Sequence, residues 1–329
     1  MDRYEKATRD LANAGVTVHR IATYRELAEY RDDWASGKLG ALPLYICSRP
    51  QLGKSRHFSG ITDAVHLKIH ATAWGIYHRL WHHQNRQVIL DDLDSLLQDI
   101  AANALLKALM DDSPRRRLTW TTDNAKISRG EVPASYEFEG RVAVLSNGWP
   151  RDPAVLARAF SLWFAPSVVE VHAYAHTWLP EDALPIWTYV GERLEFVPAP
   201  DLNRWYVQPS RLAKIGRDWR RYLDGMLNAP EIRCLVDLER KKGHTRRQKA
   251  VLWARQTGES ARTYYRKLSA YRASHPVLED SRKTPDRKVC QHGSEELCQR
   301  RLEDATGAGG SQAQPPAVML PGQEAAAGD

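Results

Sequence analysis

The stretch LPLYICSRPQLGKSRHF at residues 42–58 decides the fold, because an apolar run ends in a loop and a helix follows it. The first six residues are predicted to form a buried strand, since they are apolar and bounded by turn-forming residues. The loop closes on Gly53-Lys54-Ser55, where a helix is predicted to begin. Amides at a helix start, a lysine and a hydroxyl are the groups that hold a phosphate chain with Mg²⁺. The stretch therefore predicts a phosphate-binding loop.

The loop departs from the full pattern G-x-x-x-x-G-K-[ST] at its first position, and it also lacks glycine at an inner position where glycine is common. Its first residue is Ser48, and its inner position, often glycine, is Gln51. A residue other than glycine costs free energy wherever the backbone takes a positive φ or approaches phosphate closely, so we expect strain or weak ATP binding. An ordinary surface turn is the alternative. The predicted cofactor-binding residues are Ser48, Arg49, Pro50, Gln51, Leu52, Gly53, Lys54 and Ser55.

Short apolar runs alternate with longer amphipathic segments from Leu42 onwards, which predicts an α/β fold with a mostly parallel sheet covered on both faces. Strands are predicted at 42–47, 64–69, 87–91, 141–146 and 160–164, and helices at about 54–59, 72–84, 94–111, 152–159 and 167–177. A hairpin is predicted between Leu118 and Glu139, before the fourth strand. A lead-in at 1–41 is predicted to be helical.

An apolar strand that ends in two acids follows the loop, in Gln87-Val-Ile-Leu-Asp91-Asp92. Asp91 is predicted to hold Mg²⁺ together with Ser55, and Asp92 to act as the general base that polarises the attacking water. Aspartate is one methylene shorter than glutamate at the second position, which bears on the rate of hydrolysis. The alternative is a structural role, in which Asp94 caps a helix at 95–111.

Two further residues are predicted to complete the catalytic set. The strand Val142-Ala-Val-Leu-Ser146 ends in Asn147, which is predicted to orient the water near the γ-phosphate; a simple strand-to-turn step is the alternative. Arg158 follows a short helix and has a guanidinium suited to pairing with phosphate oxygens, although a solvated arginine is an equal alternative. The catalytic prediction is thus Asp92, Asn147 and Arg158.

The loop, the acidic strand, the Ser-Asn strand and the run Phe138-Glu-Gly-Arg141 together resemble AAA+ P-loop ATPases of plasmid or phage type over residues 42–177. The resemblance implies a three-layer P-loop NTPase with strand order 5-1-4-3-2, ATP and Mg²⁺ as cofactors, and assembly into a homo-oligomer. It also implies that Arg158 points at a neighbouring subunit's nucleotide. Some members of such families have lost hydrolysis.

The formal charge of the 329-residue chain is +7, and positive charge is concentrated near its C-terminal end. Residues 204–272 contain 18 Lys and Arg against 6 Asp and Glu, an excess of 12, so the rest of the chain is net acidic. Localised positive charge favours a nucleic-acid partner. An RNA or acidic-protein contact, or a merely solvated basic hairpin, is the alternative.

Within this basic region a helix-turn-helix-like unit is predicted, with helices at 246–256 and 261–271 and Ser260 as the N-cap of the second. Ala250, Val251 and Ala254 are expected to face inward, as are Tyr264, Leu268 and Tyr271. The predicted DNA-binding residues are Arg246, Arg247, Lys249, Arg262, Thr263, Arg266 and Lys267.

Five segments are predicted: a lead-in at 1–41, an ATPase core at 42–177, a small helical lid at 178–243, the helix-turn-helix-like unit at 244–273 and a disordered Gly-, Ala-, Gln- and Pro-rich tail at 274–329. Four cysteines without a paired framework and the lack of an apolar span or leader predict a cytoplasmic protein without a membrane segment. Cys290, His292 and Cys298 form a weak metal pattern, because a fourth ligand is missing. Trp81, His82 and His83 are predicted to serve packing and surface roles.

These patterns favour an ATP-dependent protein that acts on DNA in replication, partition or transposition of a mobile element. A DNA-binding regulator built on a catalytically weak or inactive P-loop scaffold is the second hypothesis, which Ser48 and Gln51 keep open. A nucleotide-dependent chaperone-like module without DNA contact is the third, and the local excess of positive charge argues against it.

Overall fold

The computed structural model describes residues 3–68, 72–121 and 124–275, with side chains from residue 6 onward. The metal pattern at Cys290, His292 and Cys298, and the tail beyond His275, lie outside these residues. The strands are β1 (His19–Ile21), β2 (Leu44–Ser48), β3 (Val65–Lys68), β4 (Val88–Asp91), β5 (Arg116–Thr119), β6 (Ser135–Phe138), β7 (Val142–Ser146) and β8 (Phe160–Phe164).

Fourteen α-helices occur in the described residues. They are α1 (Arg3–Asn13), α2 (Tyr24–Ser36), α3 (Lys54–Phe58), α4 (Ala73–Trp81), α5 (Ile100–Leu109), α6 (Ala125–Ser128), α7 (Pro153–Ala157), α8 (Val168–His176), α9 (Leu184–Gly191), α10 (Gln208–Lys214), α11 (Trp219–Leu227), α12 (Pro230–Arg240), α13 (Arg246–Thr257) and α14 (Ala261–Ser274). Short 3₁₀ turns occur at Glu181–Ala183 and Leu194–Phe196, and a π-helical turn at Asn203–Val207 leads into α10.

Six strands form one parallel sheet in the order β1-β8-β2-β7-β4-β3. The fold is thus mixed α/β and compatible with a P-loop NTPase. The lead-in was expected to be helical, and it contains α1 and α2, but it also contributes β1, which pairs with β8 at one edge of the sheet. Three residues carry too weak a periodic pattern for a strand to be predicted from sequence, and the edge of β8 supplies the missing hydrogen-bond partners.

Helices cover both faces of the sheet because the central strands are apolar on both sides. All five residues of β2 are buried; Tyr45 and Cys47 pack into one hydrophobic cluster with α4 and α5, while Leu44 and Ile46 pack into another with α2 and α8. This is the pattern of a buried parallel strand, whose successive side chains point to opposite faces. Because β2, β7 and β4 are neighbouring parallel strands, their carboxyl ends lie side by side.

The hairpin predicted between residues 118 and 139 is present, as the antiparallel pair β5 and β6. Arg116 of β5 is buried, and its guanidinium donates to the carbonyl oxygens of Asp111, Gly140 and Ala41. Three carbonyl acceptors satisfy the charged group that burial deprives of water. Arg116 therefore fixes the hairpin to the loops that flank β2 and β7.

The chain after β8 is helical. The stretch RLAKIGRDWRRYLDGML at residues 211–227 forms two helices, because Gly216, with φ 68°, ends α10 and Asp218 caps α11. α12, α13 and α14 pack around a separate hydrophobic cluster that includes Leu235, Trp253 and Tyr264. None of the described helices has the length and apolar character needed to cross a bilayer.

Candidate functional site

The loop between β2 and α3 has left-handed backbone at two of its residues. Gln51 has φ 64°, and Gly53, the N-cap of α3, has φ 80° and ψ 13°. Alternating left- and right-handed residues turn successive amides toward one side and form an anion-binding concavity. Of the two positions that lack glycine, Gln51 takes a positive φ and Ser48 does not. The expected strain is therefore located at Gln51, at a cost of about 1 kcal/mol.

The carbonyl groups of the loop are hydrogen-bonded on its outer side. The oxygen of Gln51 accepts from the amide of Leu202 at 3.0 Å, and that of Leu52 accepts from the Tyr24 hydroxyl at 2.8 Å. With its nitrogen facing Asp201, the Gln51 side chain also donates to both carboxylate oxygens, at 2.6 and 3.0 Å. The segment before the π-helical turn and the first turn of α2 thus hold the loop from outside.

Lys54, the first residue of α3, has a buried ammonium inside the loop. Its Nζ donates to Ser48 Oγ at 2.5 Å and to Asn147 Oδ1 at 2.9 Å. Burial lowers the pKa of Lys54 from 10.5 to about 8, because the charged form loses its water. Cys47 and three carboxylates, those of Asp94, Asp91 and Asp92, act in the opposite direction. The structure therefore brings the predicted lysine, asparagine and acidic strand end together.

Asp94 organises the site, and it does not cap a helix as the alternative interpretation supposed. Its carboxylate accepts from Ser146 Oγ at 2.9 Å, from the Asn147 amide at 2.8 Å and from Asn147 Nδ2 at 2.7 Å. The helix begins later than the predicted residue 94, as α5, and Asp99 caps it. Because both Nδ2 and the main chain are held, the side-chain oxygen of Asn147 is aimed at Lys54.

The two predicted acids differ in environment. Asp91 is buried at the end of β4, in register with Leu145 of β7, whereas Asp92 is exposed and left-handed, with φ 64°. The amide of Asp92 donates to the carbonyl oxygen of Leu145 at 3.2 Å. Non-glycine residues with a strained, left-handed backbone are found preferentially at functional sites. Ser55 is half-buried in the first turn of α3.

Arg158 is engaged within its own chain. Its guanidinium donates to the carbonyl oxygen of Lys107 at 3.1 Å and lies 3.6 Å from the carboxylate of Asp111. In this conformation the Arg158 side chain is held by contacts at the C-terminal end of α5. Its predicted role toward a neighbouring subunit's nucleotide stays a prediction.

The helices of the basic unit occur where the sequence predicted them, with a tight turn between α13 and α14. Thr245 caps α13, Gly258 ends it with φ 74°, and Ser260 caps α14. Tyr264, Leu268 and Tyr271 are buried as expected. Val251 was expected to be buried but is 47% exposed, because α13 is turned so that Trp253 packs into the cluster with α12.

Two of the predicted DNA-binding cations are used inside the protein. Lys249 is buried; its ammonium donates to the Glu239 carbonyl oxygen at 3.1 Å and lies 3.7 Å from the carboxylate of the same residue. Lys267 pairs with Glu231 at 2.6 Å and with Glu259 at 3.1 Å. Sequence spacing alone did not reveal these acids, since they lie on α12 and in the turn. Arg246, Arg247, Arg262 and Arg266 are exposed, and Thr263 is half-buried beside the cap of α14.

A pocket adjoins the outer side of the loop. Its lining residues are Arg20, Arg49, Leu52, Trp163, Phe164, Ala165, Pro166, Pro200, Ala273 and Ser274. The guanidinium of Arg20 lies 5.1 Å from the ring centre of Trp163. Residues of the candidate phosphate loop, of β1 and β8, and of the last turn of α14 therefore line one pocket.

The predicted packing role of Trp81 agrees with the structure, where its ring lies 5.3 Å from that of Tyr136. His82 ends α4 and its ring meets that of His78 at 5.0 Å. No group of three or more His, Cys, Asp or Glu side chains in the described residues could hold a metal ion.

No protein-family profile matches this chain. An uncharacterised 36.7 kDa protein of Enterobacteria phage T4, encoded in the nrdC-mobD intergenic region, is 28% identical over 75 residues. That match covers 22% of this chain and 23% of the phage protein, so the chain spans under a quarter of the relative that it matches.

Two solved structures resemble the chain at a low level. An E. coli MS115-1 HORMA:CdnC:Trip13 complex contains a chain with 12% identity and a TM-score of 0.33, covering 62% of this chain and 87% of that one. NtrX from Brucella abortus in complex with ATP has 11% identity and a TM-score of 0.31, covering 81% of this chain and 72% of NtrX.

Proposed function

We propose that the protein binds ATP with Mg²⁺ at residues 48–55, hydrolyses it, and acts on duplex DNA through α13 and α14. One observation carries the nucleotide part of this proposal: the buried ammonium of Lys54 lies at the carboxyl edge of a parallel sheet, in a loop with two left-handed residues. Ligands of α/β proteins bind at this edge. A buried cation in a loop that leads into a helix N-terminus fits a phosphate chain.

The remaining residues divide the chemistry among them. Ser55 and Asp91 would hold Mg²⁺ with the nucleotide's own phosphates, which is why no larger cluster of protein ligands is needed. The metal would neutralise charge that develops on the phosphates. The exposed carboxylate of Asp92 would take the proton of the attacking water, and Asn147, fixed by Asp94, would orient that water.

Contacts of α14 support a link between nucleotide and DNA. Ala273 and Ser274 in its last turn line the same pocket as Arg49 and Leu52 of the loop. The other end of the helix carries the exposed Arg262. A rigid helix between the two sites would transmit a change in the loop to the DNA face, provided that ATP favours one position of the helix.

The second candidate function is a DNA-binding regulator with a catalytically weak loop. Two observations favour it: Gln51 is strained, and two of the three N–H donors of the Lys54 ammonium are already used inside the protein, on Ser48 Oγ and Asn147 Oδ1. With either function, the protein would take part in replication, partition or transposition of a mobile element. If a homo-oligomer forms, Arg158 would act from a neighbouring subunit.

Measurement of ATP binding and phosphate release, with and without a 30-base-pair duplex, tests the proposal. We expect Mg²⁺-dependent ATP binding by the wild type, no binding by Lys54→Met, and unchanged binding by Lys68→Met, a matched loss of an exposed lysine. Asp92→Asn should bind ATP without turnover. Binding that survives in Lys54→Met would remove the loop assignment. Binding without phosphate release in the wild type, under both conditions, would establish the regulator function instead.

A further inference from the structure

A second group of cations lies outside α13 and α14, on the segment that contains α10 and α11. This arginine patch consists of Arg211, Lys214, Arg217, Arg220 and Arg221. All five residues are exposed, and they fall within eleven consecutive positions. Such density is typical of a surface that meets a polyanion.

The charge of the arginine patch is not compensated. Within the described part of the chain, none of its five cations makes an ion pair with an acidic side chain. The two acids of the segment accept from uncharged donors: Asp218 caps α11 by accepting from the Arg221 amide at 3.0 Å, and Asp224 accepts from the hydroxyl of Tyr189.

Cations of the neighbouring helices behave differently. Lys249 and Arg272 pair with Glu239, Lys267 with Glu231 and Glu259, and Arg240 with Glu195. The folded protein thus neutralises part of the positive charge on α12–α14 and leaves that of the arginine patch open to solvent. The arginine patch is therefore a source of positive field in addition to the exposed arginines of α13 and α14.

Two of the patch arginines oppose the local helix electrostatics. Arg220 and Arg221 lie in the first turn of α11, where the positive end of the helix dipole disfavours cations by about 0.3–1 kcal/mol each. Arg220 recovers part of this cost by lying 4.7 Å from the ring centre of Trp219. A local conflict of this kind is expected where a surface serves binding rather than stability.

We propose that the arginine patch binds the phosphate backbone of duplex DNA, as a second contact separate from α13 and α14. The choice of duplex DNA as partner rests on the proposed function, whereas the patch itself follows from its own charge and exposure. Arginine suits the role because its fork donates to two phosphate oxygens. Contacts of this kind position a protein on DNA without reading its sequence. A membrane surface is disfavoured because Ile215 is the one strongly exposed large apolar side chain on the segment, at 70%.

The test compares four full-length proteins by fluorescence anisotropy with a labelled 30-base-pair duplex between 50 and 300 mM KCl. They are the wild type, Arg217→Gln/Arg220→Gln/Arg221→Gln, Arg246→Gln/Arg262→Gln/Arg266→Gln, and the control Arg25→Gln/Arg115→Gln/Arg129→Gln. The control removes the same formal charge from exposed arginines elsewhere. Circular dichroism and ATP binding report on folding. Arg211→Gln/Lys214→Gln replaces the patch variant if that protein does not fold.

For the patch variant we expect the negative slope of log K against log salt to become shallower by about 3. The affinity at 100 mM KCl should fall by about tenfold or more. The control should retain the wild-type slope. A patch variant that behaves like the control would overturn the inference, as would binding to anionic phospholipid vesicles in place of DNA. If the α13–α14 variant alone keeps full affinity, the assignment of those helices fails and the patch stands. If the wild type binds ATP but no DNA, the patch and the DNA part of the proposed function both fail.

Discussion

Replacement of Lys54 by methionine should change the pH dependence of stability in a direction that the buried ammonium dictates. The pKa of Lys54 is lowered by burial from 10.5 to about 8. Below pH 8 both the folded and the unfolded chain carry the proton, so the folded state bears the full cost of the buried charge. Between pH 8 and 10.5 the folded state has lost the proton while the unfolded state still binds it. Stability therefore rises with pH through this window.

A shift of this size corresponds to roughly 3 kcal/mol, and about 2.5 kcal/mol of it is regained between pH 7 and pH 10. Two hydrogen bonds to Ser48 and Asn147 are lost in Lys54→Met, at about 0.5–1.5 kcal/mol each. The two effects act in opposite directions at pH 7, so a single measurement there does not separate them. The dependence of stability on pH does separate them, because the loss of hydrogen bonds in Lys54→Met is the same at every pH.

The assay is urea unfolding of the wild type and Lys54→Met at several values between pH 7 and pH 10, without nucleotide. The difference in the free energy of unfolding between the two proteins should move by about 2.5 kcal/mol in favour of the wild type as the pH rises. Lys68→Met, an exposed lysine, should run parallel to the wild type. Parallel curves for wild type and Lys54→Met would refute a buried cation at this site.

ATP binding should raise the pKa of Lys54 again, because a phosphate chain beside the ammonium favours its charged form. Binding should then take up about one proton above pH 8, and the affinity should fall up to about tenfold for each further pH unit. Titration calorimetry in buffers of different ionisation enthalpy measures this uptake. Affinity that is constant from pH 7 to pH 10 would separate the nucleotide from Lys54.

Three more changes test the site and the basic unit. Gln51→Gly should be more stable than Gln51→Ala by roughly 0.5–1 kcal/mol and should bind ATP more tightly in calorimetry, because both variants lose the side-chain bonds to Asp201 and only glycine relieves the left-handed backbone. Asp94→Ala frees Asn147 and should lower kcat about tenfold or more with a smaller effect on ATP affinity; equal losses would deny it a positioning role. Arg266→Gln should reduce the salt slope of DNA binding by about 1, whereas Lys267→Gln should leave the slope unchanged and lower the melting temperature.

The sequence located the candidate site residues along the chain better than it described their surroundings. An apolar run that ends in a polar residue marks the carboxyl end of a buried parallel strand, so Ser48, Asp91 and Asn147 were predicted as strand ends from local pattern alone. The left-handed strain at Gln51 also followed from the missing glycine. Such features depend on neighbours within a few residues.

Only the tertiary structure revealed which charges are free. Asp94 was expected to cap a helix in the alternative interpretation, yet its partners Ser146 and Asn147 lie at the carboxyl end of β7, more than fifty positions away. Lys249 was assigned to DNA from its basic surroundings, although Glu239 on a different helix buries and neutralises it. The physical reason is common to both: hydrogen bonds and ion pairs depend on distance in space, which chain packing sets, whereas sequence patterns report periodicity and turns.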